Sequence, residues 1–324
     1  MSLTEAQVSL LQEFERGLDP RRPERSRIPA KVLGYGEIST VFAIEVEGLH
    51  DLAFKRLPLF RDAAEVSAYR GTYRDYNRLL GEEIGLRLPA FGDVSFTNQA
   101  GRHIFYIIQR RMPTACIGHC ALRLLPREVV PGLIRRVLRE LRRVWDFNRQ
   151  QGRFHVGLDG QLSNWAIEGF DPQAPHVDED SSLLYLDTST PFIRDGGVEQ
   201  LDPELFLRSA PSFLVWILRL LFLEDVVDRY HDLRRVTVDL VANLYKEQRP
   251  DLIPAAIGEV NDFFSGDAAD LGIQPLEERE VRSYYREDAL IWSLYLSMRR
   301  LDRLLRTRLL RREYPYILPG RIQR

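Results

Sequence analysis

The sequence predicts an α+β fold in two unequal parts, a small β-rich first part with one main helix and a larger, mostly helical second part. Three observations carry that reading. Short β-type runs crowd residues 28–109 with a single helical stretch among them. A strongly amphipathic segment over 132–150 opens a long region of helical spacing, and a short apolar hairpin interrupts that region between 164 and 186. At 324 residues, 44% hydrophobic and 28% charged, the chain has the length for one large two-part domain and the composition of a folded protein. The shifts in pattern divide it into an N-terminal helix and linker over 1–28, a β-rich part over 29–112 and a helical part over 113–324.

Taken in order, residues 3–18 show the spacing of one amphipathic helix, which Asp19-Pro20 ends before a charged linker over 21–27. That helix reads as an appendage outside the core. Strands are expected over 31–33, 40–46, 52–57 and 103–109, and between them a helix over 63–83 places Val66, Tyr69, Tyr73, Tyr76 and Leu80 on one face. The helix over 132–150 turns Leu133, Val137, Leu138, Leu141, Val144 and Trp145 inward and Arg135, Arg136, Arg139, Arg142 and Arg143 mostly outward, to solvent or, as the alternative, to an acidic partner. A loop over 154–163, a strand ending at 164–167, a polar turn over 171–182 and a strand over 183–186 follow. The rest, from 202 on, is mainly helical, with breaks marked by Pro and Gly at 250, 254, 266, 272 and 275.

Several function classes drop out. A net charge of −2 lacks the basic excess of a dedicated nucleic-acid binder. The apolar run over 213–223 contains Arg219 and falls short of the roughly 20 apolar residues that cross a bilayer, so it reads as a buried core helix. Residues 1–20 lack a basic n-region and a continuous apolar stretch, and with only Cys116 and Cys120 the expected compartment is the reducing cytoplasm. Cys116-Ile117-Gly118-His119-Cys120 holds metal-ligand residue types, but a structural zinc site needs four ligands and no second cluster is visible, so small buried side chains are the better account. Residues 299–312 interleave arginines with Leu301, Leu304, Leu305, Leu309 and Leu310; the leucine spacing is that of a packed terminal helix with its arginines in solvent, and an acidic partner is the alternative.

The residues able to carry chemistry come in a fixed order. Gly34-Tyr35-Gly36-Glu37-Ile38-Ser39-Thr40-Val41 lies between two expected strands, where Gly34 and Gly36 let a turn approach phosphate oxygens closely and Ser39 stands at the place of a third glycine; an ordinary hairpin is the alternative. Lys55 stands inside the next apolar strand, placed to pair with phosphate. Such a lysine needs a helix carboxylate to orient it; Asp75 is the first choice and Glu65 the alternative. Then Asp159-Gly160-Gln161-Leu162-Ser163-Asn164 precedes one short strand and Leu184-Tyr185-Leu186-Asp187 ends another. Phosphoryl transfer requires a carboxylate at the attacking hydroxyl and two oxygen ligands for Mg²⁺, and these three side chains supply that set. Taken singly, Asp159 reads as a turn residue, Asn164 as a cap and Asp187 as a strand terminator.

These motifs resemble a divergent protein-kinase-like phosphotransferase, nearer the aminoglycoside phosphotransferase and choline kinase group than ordinary protein kinases, from about residue 29 to the C-terminus. The resemblance implies a bilobal fold with its hinge near 109–113, ATP and Mg²⁺ as cofactors, Asp159 as the catalytic-loop aspartate, Asn164 and Asp187 as metal ligands and Lys55 on the phosphates. It departs from the family at three places, one being that no Ala-Pro-Glu segment follows Asp187. Gly157 stands where a histidine usually does, with His155 four residues before Asp159, and Thr188-Ser189-Thr190-Pro191 follows Asp187 in place of Phe-Gly. The expected function is phosphoryl transfer to a hydroxyl of an unidentified acceptor, a small molecule favoured over a protein. A nucleotide-binding pseudokinase-like module and a kinase-fold nucleotidyl transferase are the alternatives.

Overall fold

The computed structural model describes residues 1–36, 38–202, 204–208, 227–311 and 314–320; the expected core helix over 213–223, Glu37 of the glycine turn and Arg312 lie outside them. The fold is mixed α+β. In chain order it runs α1 (Glu5–Gly17), β1 (Ala30–Tyr35), β2 (Thr40–Ile44), β3 (Leu52–Phe60), α2 (Ala63–Arg78), β4 (Phe91–Thr97) and β5 (His103–Arg110). It continues through α3 (Gly118–Ala121), α4 (Val130–Gln150), β6 (Phe154–Val156), β7 (Trp165–Ile167), β8 (Leu183–Tyr185), β9 (Ile193–Asp195), β10 (Val198–Glu199), α5 (Glu204–Leu207), α6 (Leu233–Lys246), α7 (Ile253–Ser265) and α8 (Glu278–Leu304). No helix among the described residues is long and apolar enough to cross a membrane.

The first five strands form one antiparallel sheet in the order β1-β2-β3-β5-β4. Strand side chains alternate between faces, so adjacent residues of β3 and β5 serve two different cores. Phe54, Tyr106 and Ile108 join Phe42 and Ile44 on one face. Leu57, Phe105 and Ile107 pack on the other, against Val66, Tyr69 and Tyr73 of α2.

The first face is covered by α1, which corrects the reading of that helix as an appendage. Leu11 and Phe14 are fully buried against the sheet. Thr4 closes the helix start with a capping box to Gln7. Helical spacing reveals an apolar stripe but not the surface that buries it.

α2 links its face of the sheet to a third, larger core. Tyr76, Leu79 and Leu80, further along the same face, belong to the large cluster built by α4, α6 and α7. In that cluster the arginine face of α4 is not left to solvent. Arg135 pairs with Glu259 of α7, Arg142 with Asp270 just beyond it, and Arg136 with Glu140 one turn along its own helix. The acidic partner of this face is the chain itself.

The C-terminal stretch also inverts its expectation. Arg299 is 3% exposed, between the rings of Tyr295 and Tyr316, whereas Leu309 is 71% exposed and Leu301, Leu304 and Leu310 are exposed too. The leucine stripe is real, but the face that packs is the one carrying Arg299.

Candidate functional site

The sheet register sets the first half of the site. Gly34 pairs with Val41, Val41 with Lys55, Lys55 with Ile107 and Ile107 with Asp93, one row straight across the five strands. Alternation turns Lys55 to the α2 side and sends Arg56 to the α1 side. Ahead of that row Gly36 and Ser39 close a tight turn, the Gly36 amide donating to the Ser39 carbonyl at 3.0 Å.

The second half comes from the β7–β8 hairpin and the loop before it. Trp165 to Ile167 pair with Tyr185 to Leu183, and the Leu186 amide donates to the Asn164 carbonyl at 2.8 Å, so Asn164 and Asp187 sit side by side at one end of the hairpin. Asn164 Nδ2 reaches back to the Asp159 carbonyl at 3.3 Å. Gln109 at the end of β5 donates to the Leu186 carbonyl at 2.9 Å, and Tyr69 of α2 donates to the Ser189 carbonyl at 2.7 Å, which holds the Asp187 segment under the sheet.

The halves meet at an ion pair. Lys55 Nζ lies 2.7 Å from Asp187 Oδ1, which also accepts from the Ser189 amide at 3.1 Å and the Ser189 hydroxyl at 2.8 Å. Partial burial works to raise the Asp187 carboxyl; the Lys55 ammonium and the two Ser189 donors outweigh it and hold the group below the ordinary carboxylate range. Asp159 goes the other way. Desolvation first, and then the nearby Asp239 carboxylate, push it up to about 7 against the opposing Gln161 amide. Two carboxyl groups in one site thus have their proton affinities driven apart, the pattern that separates a proton acceptor from a charge-holding ligand.

Neither carboxylate proposed to orient Lys55 does so here. Asp75 is exposed on α2, and Glu65 is held by Arg61 and Arg208. The lysine's carboxylate partner lies 132 residues ahead in sequence, not on the helix.

Residues that the motifs did not flag complete the site. Asp239 of α6 accepts from Gln161 Nε2 at 2.9 Å and from the Tyr284 hydroxyl at 2.9 Å. Arg229 bonds the hydroxyls of Tyr230 and Tyr284 and lies over both rings. Gln161 stands inside the Asp159–Asn164 stretch and was visible there; Asp239, Arg229 and Tyr284 come from distant helical sequence with no local signal.

Gly157 has a steric cause. A Cβ at this position would lie 2.8 Å from the Tyr230 carbonyl oxygen and 3.0 Å from Phe192 Cβ, so no side chain fits between them. Gly157→Ala is therefore expected to cost about 1–3 kcal/mol of unfolding free energy by urea titration, because backbone must move to admit the methyl group. A loss near zero would mean that the loop before Asp159 is not clamped.

No group of three or more His, Cys, Asp or Glu side chains that could hold a metal occurs among the described residues, and Cys116-His119-Cys120 forms none. What the site offers a divalent ion is smaller. Asp187 Oδ2 lies opposite the oxygen that Lys55 and Ser189 share, and Asn164 Oδ1 lies opposite the amide nitrogen turned to Asp159. One carboxylate and one amide oxygen fit Mg²⁺, which keeps waters and takes further oxygens from substrate phosphates.

The model of a family of unknown function (DUF6206) matches residues 23–305 of the chain. No curated protein matches it. Among solved structures, WaaP in complex with acyl carrier protein is similar at 17% identity, covering 76% of this chain and 96% of that chain, with a TM-score of 0.33.

Proposed function

We propose that this chain, which belongs to the family of unknown function DUF6206, is a protein-kinase-like phosphotransferase that moves the γ-phosphoryl group of ATP to a hydroxyl of a small acceptor. In this reading residues 29–112 are the N-lobe, 113–324 the C-lobe, and 109–113 the hinge between them. The observation that carries it is the Lys55–Asp187 pair at 2.7 Å, joining the middle strand of the sheet to the hairpin that holds Asn164, with Asp159 beside it.

Each residue then has one task. Gly34, Gly36 and Ser39 form the turn over the phosphates, and Lys55 exchanges Asp187 for phosphate oxygens. Asp187 and Asn164 would hold Mg²⁺, which neutralises charge on the β- and γ-phosphates. Asp159 accepts the proton of the acceptor hydroxyl as the new O–P bond forms and the bond to the ADP oxygen breaks. A carboxyl near 7 is half ionised at neutral pH, so it can both take that proton and release it. Asp75, exposed on α2, is given no task in this reading.

The test is thermal unfolding with ATP, with and without Mg²⁺, for the native chain and for Asp187→Ala. Ligand bound only by the folded state raises the melting temperature, by free energy of about 2.7 kcal/mol at a hundredfold excess over Kd. A Mg²⁺-dependent rise confined to the native chain is expected; no rise in the native chain would sink the reading. A rise without turnover on any hydroxyl acceptor would leave a nucleotide-binding module.

A further inference from the structure

Lys55 and Arg56 are neighbours on β3 but face opposite ways, and the Arg56 side opens into a cavity of about 280 Å³ between the end of α1, the β4–β5 turn and the segment after α8. Arg16, Arg21, Arg56, Arg102 and Arg303 all line it. Two carboxylates line it among the described residues. Glu15 is taken up by both arms of Arg56, by the Tyr106 hydroxyl and by Asn98. Asp19 accepts the Arg21 backbone amide at 2.8 Å.

That leaves cations in excess. The side chains of Arg16, Arg21 and Arg303 make no hydrogen bond or ion pair among the described residues, whereas Arg135, Arg142 and Arg234 elsewhere are each held by carboxylates. Burial works against the Arg303 cation, the charges of Arg21 and Arg300 act in the same sense with Tyr314 opposing, and the guanidinium falls below its ordinary range. Like charges gathered around one cavity repel, and an anion entering it relieves that repulsion. A carboxylate is satisfied by one guanidinium fork, but a phosphate offers oxygens to several at once. The rings of Tyr314 and Tyr316 add flat walls for the rest of a small ligand.

We propose that this cavity is a binding site for a small phosphate-bearing ligand, held by Arg21, Arg303 and Arg16. It lies on the opposite face of the sheet from Lys55, so it stands or falls apart from the phosphotransfer reading. The probe is inorganic pyrophosphate, titrated calorimetrically into the full chain at low salt without Mg²⁺. Saturable binding is expected, weakened about tenfold or more in Arg21→Met and in Arg303→Met, and the component that needs these arginines persists in Lys55→Met and Asp187→Ala. Arg21 is exposed, so its variant is expected to melt with the native chain in the absence of ligand, which separates lost binding from lost folding. Three results would overturn the proposal: no binding at millimolar pyrophosphate, equal binding by all four variants, or binding lost in Lys55→Met and kept in Arg21→Met.

Discussion

Asp159→Asn is expected to lower Mg·ATP turnover, read as hydrolysis without acceptor, by about 10²–10⁴-fold while leaving the ATP-induced rise in melting temperature in place. The substitution keeps the shape of the side chain and removes only its capacity to take a proton. Its pH behaviour follows from the same cause. The folded carboxyl is raised to about 7 by desolvation and by Asp239, so native turnover should climb as pH rises through that value and the base ionises.

Stability should move in the opposite direction. A group whose folded pKa is raised contributes stability that is fully present below its unfolded pKa, about 4 for Asp, and lost as pH rises through the folded value. The amide introduced by Asp159→Asn has no proton to release, so the variant should gain on the native chain between about pH 4 and 7 and be the more stable of the two above that window. Melting temperatures at pH 5 and pH 8 check this. A variant that loses turnover and is also destabilised at pH 8 would place Asp159 in a structural role.

Glu15→Ala is expected to cost about 3–5 kcal/mol in a urea titration, the largest stability effect foreseen for any single side chain here. Glu15 and Arg56 form a bidentate pair at 2.7 Å on each arm, with side chains 2% and 4% exposed. Removing the carboxylate leaves a buried guanidinium beneath the sheet with the Pro315 carbonyl at 2.8 Å and the Tyr106 hydroxyl beside it, and no charge to balance its own among these contacts. Replacing both members, as in Glu15→Leu with Arg56→Met, should recover most of the loss, because the penalty lies in the orphaned charge more than in the absent pair. Burial alone would raise the Glu15 carboxyl, but Arg56, Tyr106 and Asn98 hold it below the ordinary range. The pair's contribution is therefore present above the unfolded pKa and lost as pH falls through the folded one. A cost under about 1 kcal/mol would mean that water reaches the pair.

Local periodicity made much of this legible. The α2 face from Val66 to Leu80 is buried as its spacing requires, and Lys55, Asp159, Asn164 and Asp187, chosen from their order along the chain, are brought together. What escaped has physical reasons. β4 reads Phe-Gly-Asp-Val-Ser-Phe-Thr, with glycine, aspartate and serine diluting the β signal, and only one of its seven residues is fully buried. Arg56 beside Lys55 looks like a solvated charge until a partner 41 residues upstream is folded onto it. The expected partner of Lys55 is a carboxylate on the following helix, while Asp187 lies beyond α4. Leucine spacing after residue 299 reported a stripe and could not report that Tyr314 and Tyr316 would choose the arginine side.

The contacts of Arg56 also impose an order on how the protein is made. Its carboxylate partner precedes it in synthesis, but the carbonyl that receives its remaining arm belongs to Pro315, 259 residues later. A nascent chain can lay down the strands and close α1 over them while the guanidinium still opens to water on one side. Only when residues 314–316 have been made can that arm find its carbonyl, and contacts of such long separation form slowly. The strand bearing Lys55 thus acquires this backing only after Pro315 is made, and a chain stalled before residue 315 would present its central sheet half-finished.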